Sequence, residues 1–409
     1  MNFMKKKKKT TTKKSKGHHV GLTIILLIII IFLVTIFFSK TTSESLNIPF
    51  FELSSEDGVI LRSVDDGISV THIDTPESVK TVYMTSWVAG TPSIRQRIID
   101  LVRETEINSV IIDIKDDTGK VSFVGNDPYI EKIGSYENRI GDIRELIKIF
   151  HDMDVYVLGR IAVFQDPYLT KVWPEEAVKF RSTGTVWEDR KGISWVDAGS
   201  EKVWDYTTRL AIDAYNQGFD EINFDYVRFP TDGKMTDMAF PYSEGKDKSV
   251  VLESFFKYIH GEMVEAGIPH SADVFGMVAV ANDGIGIGQI LEKITPYVDY
   301  IAPMVYPSHF AYNFKGLGDP NEDPYGVIFH SMSDAKNKLL AAQALETTEE
   351  GKMKYDVDKL RPWLQDFDYG GDYDAADVRA QIQATYDVGL DSWMLWDPSV
   401  KYTRAALLD

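Results

Sequence analysis

Cysteine is absent from the 409 residues, which excludes a disulfide framework and any thiolate-bound metal. Several catalytic signatures are missing too. No G-x-G-x-x-G follows an early strand, so the glycine-rich first turn of a dinucleotide-binding sheet is lacking. Gly284-Ile-Gly286-Ile-Gly288 has no third glycine at the required spacing and reads as a loop and helix start. There is no H-E-x-x-H or H-x-H, which argues against a zinc hydrolase, and no G-x-S-x-G elbow, which argues against serine hydrolysis. The eight histidines are scattered along the chain, apart from His18-His19. Asp113, Asp116 and Asp117 lack the D-x-D-x-D-G loop of an EF-hand and read as solvated loop carboxylates. No metal or cofactor is expected.

Acidic residues are missing from the N-terminus. Residues 1–40 hold nine lysines, including Lys5 to Lys9, and no carboxylate. Val20 to Phe38 then runs nineteen residues without a charge, against the roughly 20 that cross a bilayer as a helix. With the lysines cytoplasmic, everything after Lys40 is expected outside. The run exceeds a usual signal-peptide core, and Phe37-Phe38-Ser39-Lys40 offers no small-x-small cleavage site, so an uncleaved signal anchor is favoured. Residues 41–409 keep 35 basic against 62 acidic side chains, a charge of about −27. Such a domain does not seek nucleic acid nonspecifically. The organisation read from this is a basic cytoplasmic tail at 1–19, a transmembrane anchor at 20–38, a Ser/Thr-rich stalk or small module at 39–80, and a single large extracytoplasmic domain at 81–409. The cell membrane, single-pass, is the expected location.

In that domain, apolar runs of strand length alternate with helical patterns. The strands read Val82 to Val88, Ser109 to Ile114, Val155 to Val163, Glu221 to Val227, His270 to Met277, Tyr300 to Tyr306, Pro362 to Phe367 and Ser392 to Trp396. Between them lie helical stretches such as Ser93 to Glu106, Ile140 to Asp152, Val203 to Gln217, Val250 to Ala266, Ile287 to Ile294 and Ala375 to Val388. Near-continuous apolar strands in strand-helix units imply a parallel sheet covered on both faces. Eight such units point to an α/β fold, a closed (β/α)8 TIM barrel preceded by one transmembrane helix. The link from about Gln165 to Trp204 is read as an insertion near the barrel mouth.

Catalytic groups of such barrels lie at the carboxyl ends of the strands. Those ends supply Trp87, then Asp113 and Lys115, then Arg160, then Asp225, Tyr226 and Arg228 of EINFDYVRFPTDG. Asp273, Tyr306, Asp366, Trp396 and Asp397 follow. Carboxylates, cations and aromatic rings at one rim suit a carbohydrate: Trp87, Tyr226, Tyr306 and Trp396 offer flat faces to sugar C–H surfaces, and Asp113, Lys115, Arg160, Arg228 and Asp397 hydrogen-bond hydroxyls. Glycoside hydrolysis needs one ionised and one protonated carboxyl. Asp225 is read as the ionised member beside Arg228 or Arg160. Asp273 is favoured as the acid because Ala272, Val274 and Phe275 would desolvate it. Asp366 and Asp397 are the alternatives.

The segments Ala89-Gly90, VIIDIKDD (Val110 to Asp117), Gly159-Arg160-Ile-Ala-Val-Phe164, Trp195-Val-Asp197, FDEINFDYVRFPTDG (Phe219 to Gly233), IAPMVYP (Ile301 to Pro307) and Trp393-Met-Leu-Trp396 resemble, in this order, a family of glycosyl-hydrolase-type barrels distantly like the α-amylases. The resemblance spans about Thr81 to Pro398. It implies a barrel with glycosidase activity on a polysaccharide or oligosaccharide, but no particular sugar. In α-amylase-type enzymes the fourth strand supplies an aspartate nucleophile, matched by Asp225. The fifth supplies a glutamate acid, where this chain has Asp273. Because fold does not fix function, a noncatalytic glycan-binding barrel is the second reading.

Overall fold

In the computed structural model, which describes residues 70–408, eight parallel strands close into a barrel. They are β1 (Lys80–Met84), β2 (Ser109–Lys115), β3 (Tyr156–Ala162), β4 (Glu221–Asp225), β5 (His270–Phe275), β6 (Tyr300–Met304), β7 (Trp363–Gln365) and β8 (Trp393–Trp396). Each pairs with its neighbours in sequence, and β1 closes the ring on β8. Among the helices are α1 (Pro92–Glu104), α2 (Ile143–His151), α3 (Glu201–Tyr215), α4 (Lys248–Ala266), α5 (Leu291–Ile294), α6 (Pro324–Gln343) and α7 (Ala375–Asp387). Every residue of β2 and β3 is buried, because the barrel interior covers one face and the helices the other. Every expected strand is present. The expected tail, the anchor at 20–38 and most of the expected stalk lie outside the described residues. Among those described, no helix is long and apolar enough to cross a membrane.

Most strands end one to four residues from the sequence reading, and two of these ends re-aim site residues. β1 stops at Met84 because Thr85 caps a short helix, Ser86–Ala89, its side chain accepting from the Val88 N–H. Trp87 therefore rides on that helix and not on the strand. β4 stops at Asp225 because Tyr226 takes a left-handed conformation, φ +54°, which ends strand geometry and is costly for a side chain of this kind. The helix α6 has no counterpart in the sequence reading. Asp323 caps it and Pro324 opens it, but its buried positions include Gly326, Ser331 and Ala335, which dilute the apolar period.

The expected insertion between β3 and α3 does reach the mouth. Its residues Lys179–Phe180 pair antiparallel with Met238–Ala239 from the loop after β4. Gly233 belongs to the same assembly, since a Cβ there would sit 2.5 Å from the Trp187 ring. At the opposite end, residues 73–79 cross the barrel floor. The Ile73 N–H donates to Asp220 (2.8 Å), Thr75 bonds Tyr156 (2.9 Å), and the Val79 N–H donates to Ser392 (2.9 Å).

Candidate active site

Register decides which side chains enter the barrel. Asp113 of β2 pairs with Arg160 of β3, Arg160 with Asn223 of β4, and Asn223 with Ser271 of β5. Side chains alternate along a strand, so Asp225 and Asp273 stand one inward layer above Asn223 and Ser271. Asp113, Arg160 and Asn223 form the layer beneath them.

Arg160, buried among carboxylates, organises the two layers. Its Nε donates to Asp225 Oδ2 at 3.1 Å and its Nη2 donates to the same oxygen. Its Nη1 donates to Asp113 Oδ1 at 2.8 Å, and Asp113 Oδ2 accepts from the Tyr83 hydroxyl at 2.5 Å. The rings of Tyr83, Trp396 and Tyr226 surround the guanidinium at 5.3–5.8 Å. Asp225 thus accepts two charge-assisted bonds, which fix its carboxylate in place. The Tyr226 N–H bonds its other oxygen at 2.5 Å.

Asp273 is treated differently. Only 1% exposed, it accepts from Trp363 Nε1 at 2.8 Å and Asn223 Nδ2 at 3.0 Å, both on Oδ1. Among the described residues, its Oδ2 has only the Arg160 Nε at 3.8 Å. Burial, then the negative charge of Asp225, push the Asp273 carboxyl up to about 8, against the opposing pull of Arg160. At neutral pH it holds a proton, and Oδ2 is the oxygen free to carry it.

These groups line a cavity of about 540 Å³ at the carboxyl ends of the strands, within the roughly 300–1,000 Å³ of small-molecule sites. Of the expected site residues, Arg160, Asp225, Tyr226, Arg228, Asp273, Tyr306 and Trp396 line it. Arg228 lies over Trp195 and Phe275 at 4.6 and 4.8 Å and pairs with Asp232 at 3.0 Å. Burial pushes the Tyr306 hydroxyl well above its ordinary value, with Asp273 and Asp225 adding to the effect.

The other expected residues are placed elsewhere. Asp113 does not line the cavity and acts on Arg160 from below. Lys115 is fully buried and pairs with Asp166 at 2.7 Å. A β-bulge between Asp113 and Lys115 shifts the register, so Lys115 pairs with outward-facing Ile161 and turns to the helix layer. Both oxygens of Asp366 are taken by Thr403, through its hydroxyl at 2.6 Å and its N–H at 2.8 Å. Burial raises its carboxyl to about 6, but it faces the loop after β8 and not the cavity. Asp397 accepts from the Ser399 N–H in that loop. Trp87 stands outside the cavity, 62% exposed, over Arg139 at 4.9 Å. The Asp113, Asp116, Asp117 group is divided, Asp116 pairing with Arg139. Among the described residues no His, Asp and Glu group could hold a metal ion. Two histidines ten residues apart do meet: His260 Nδ1 lies 3.1 Å from His270 Nε2 at the barrel floor.

A family model described as "Putative glycosyl hydrolase domain" matches residues 81–402. The chain belongs to that family. Four of the segments that carry the family resemblance line the cavity of this glycosyl hydrolase domain, through Arg160, through Asp225 to Asp232, through Met304 and Tyr306, and through Trp396. A hypothetical protein from Ruminiclostridium thermocellum is 36% identical, the match covering 47% of this chain and 97% of that one, with a TM-score of 0.44. The PgaB (BpsB) glycoside hydrolase domain from Bordetella bronchiseptica shares the fold at 12% identity and TM-score 0.53, over 83% of this chain and 99% of that one. An α-L-fucosidase isoenzyme from Paenibacillus thiaminolyticus does so at 10% identity and TM-score 0.51, over 81% of this chain and 47% of that one. No curated protein matches the chain.

Sequence reasoning missed Tyr83, Asn223, Trp363 and His309. Asn223 had a signal: two residues before Asp225, it faces inward by strand parity. Tyr83 had the same signal in β1. Trp363 reaches Asp273 from β7 across the barrel, a contact that no local pattern encodes. His309 lines the cavity from the loop after β6, and burial lowers its imidazole below the ordinary range.

Proposed function

We propose that the chain is a membrane-anchored extracytoplasmic glycoside hydrolase acting on a cell-surface or extracellular polysaccharide. The observation that carries this reading is the pair of inequivalent carboxyls on one cavity. Asp225 accepts two bonds from the Arg160 guanidinium, and Asp273 is kept protonated with Oδ2 uncommitted. Such a division matches what acid-assisted cleavage of a glycosidic bond requires. Asp273 Oδ2 delivers its proton to the departing oxygen as the C–O bond breaks, while Asp225 serves the anomeric carbon as nucleophile or base, and a water oxygen is finally bonded to that carbon. Tyr226, Tyr306 and Trp396 give the sugar apolar faces. Arg160 is a positioning residue, locked by Asp113 and Tyr83 so that Asp225 does not reorganise during the reaction.

Reducing-end release by the full chain from a panel of polysaccharides tests the reading, with Asp225→Asn alongside. Release should fall about 10³-fold or more in the variant. Binding without release by either protein would instead support the glycan-binding barrel. The anchor at residues 20–38 is tested by resistance to alkaline extraction from membranes, and by protection of the barrel from protease added on the cytoplasmic side.

A further inference from the structure

Five aromatic side chains are exposed among the described residues: Trp87, Tyr242, Phe275, Tyr312 and Tyr369. All five lie at the carboxyl ends of barrel strands or on the loops that follow β1, β4, β5, β6 and β7. The large apolar residues exposed on the helices are aliphatic or methionine, such as Ile94, Val250, Val264, Leu340 and Met353. Rings confined to the end of the barrel that holds the cavity stand where a ligand extending out of it would pass.

Two of the rings are braced. Behind Trp87 stands the Arg139 guanidinium, itself held by Asp116 and by Glu137 at 3.0 Å. The Arg139 backbone closes in there because residue 90 is glycine, where a Cβ would meet the Arg139 carbonyl oxygen at 2.1 Å. Tyr369, 62% exposed, leans on His309 at 5.8 Å between ring centres, and His309 on Tyr306 at 5.5 Å. Tyr306 and His309 line the cavity. A continuous path of rings therefore leads from the cavity wall to the outer rim.

We propose that the ligand is a glycan chain longer than the cavity, lying across the rim with outlying sugars stacked on Trp87 and Tyr369. This rests on the hydrolase reading and makes the enzyme one that binds polymers along their length. An aromatic face fits the C–H surface of a pyranose ring, and a braced ring loses little side-chain freedom on binding. The occupant is a polysaccharide and not an apolar partner, because polar groups, His309 and Arg139, support these rings.

The test is mobility of the full chain, in non-ionic detergent, through native gels containing glycol chitin, hydroxyethylcellulose or soluble starch. The forms compared are the parent, Trp87→Ala, Tyr369→Ala and the double variant, each with and without Asp225→Asn. At least one polysaccharide should retard the parent, and each ring removal should weaken apparent affinity by about ten-fold. On a substrate the parent cleaves, ring removal should raise KM for the polymer at least ten-fold more than for a trisaccharide of the same sugar. Both rings are mostly exposed, and unchanged thermal melts would show that folding is intact. No retardation in any gel, or retardation unaffected by the ring variants, overturns the proposal. Cleavage by the parent with ring-independent retardation would leave the hydrolase reading standing without it. Ring-dependent retardation with no cleavage would uphold the polymer site and remove the hydrolase reading.

Discussion

Replacing Asp273 by asparagine copies the protonated acid, since an amide can still accept from Trp363 and Asn223 on one atom and donate from the other. The parent must bind a proton at this site that its unfolded chain has already released above pH 4. Because the folded value is raised from 3.8 to about 8, the stability attached to that proton is complete below about pH 4 and is lost progressively as pH rises to about 8. The loss accrues at roughly 1.4 kcal/mol per pH unit, or about 4 kcal/mol between pH 5 and pH 8. The asparagine variant has nothing to lose over that interval. Its melting temperature should therefore match the parent's near pH 4 and pull ahead as pH rises, by roughly 8 °C at pH 8 for a domain of this size. Glycoside cleavage should fall about 10³-fold or more at every pH. Differential scanning calorimetry of the two proteins at unit pH steps reads the gap. A gap that stays constant with pH, or a variant that melts earlier at pH 8 than the parent, would refute the claim that Asp273 is held as a neutral acid.

Other substitutions separate positioning from support. Tyr83→Phe keeps the ring stacked on Trp396 at 4.1 Å but removes a buried hydrogen bond from Asp113. It should cost about 1–3 kcal/mol in chemical denaturation and lower kcat more than it raises KM. Lys115→Met leaves Asp166 buried without its cation and should destabilise by about 3–5 kcal/mol, with KM unchanged in whatever folds. At the barrel floor, burial alone would raise Asp220, but hydrogen bonds from His151 and His72 hold it below the ordinary carboxylate range. That stability is present above pH 4 and is lost as pH falls through the depressed folded value. Asp220→Asn should thus be less stable than the parent at pH 7, and urea titrations should show the difference closing toward pH 3.

What could be read from the chain and what could not follows from range. The barrel strands were legible because their buried faces leave long apolar runs, and helices α1 to α3 because their apolar period is strong. Helix α6 escaped notice because small residues fill its buried face. Asp225 stood out as a carboxylate where a strand breaks, and Asp273 as the carboxylate that the fifth strand supplies, although Asn223 and Trp363 and not its sequence flanks cover it. Lys115 misled because one extra residue in β2 reverses the side to which it points, and a bulge leaves no mark in the local sequence. Asp366 and Asp397 sit at strand ends just as Asp225 does. Only the fold shows that Thr403 takes both oxygens of Asp366 and that Ser399 binds Asp397 Oδ1. The supports of Asp273 come from β4 and β7, joined across the barrel, where sequence distance carries no information.

The short antiparallel pair between Lys179–Phe180 and Met238–Ala239 couples the lengths of two loops. Lys191 reaches the cavity from one and Arg228 and Asp232 from the other. An insertion in either alone would slip the pairing and drag Trp187 off Gly233. Relatives that accept a wider or narrower sugar at this side of the mouth should therefore carry compensating changes in both loops, inherited as one unit.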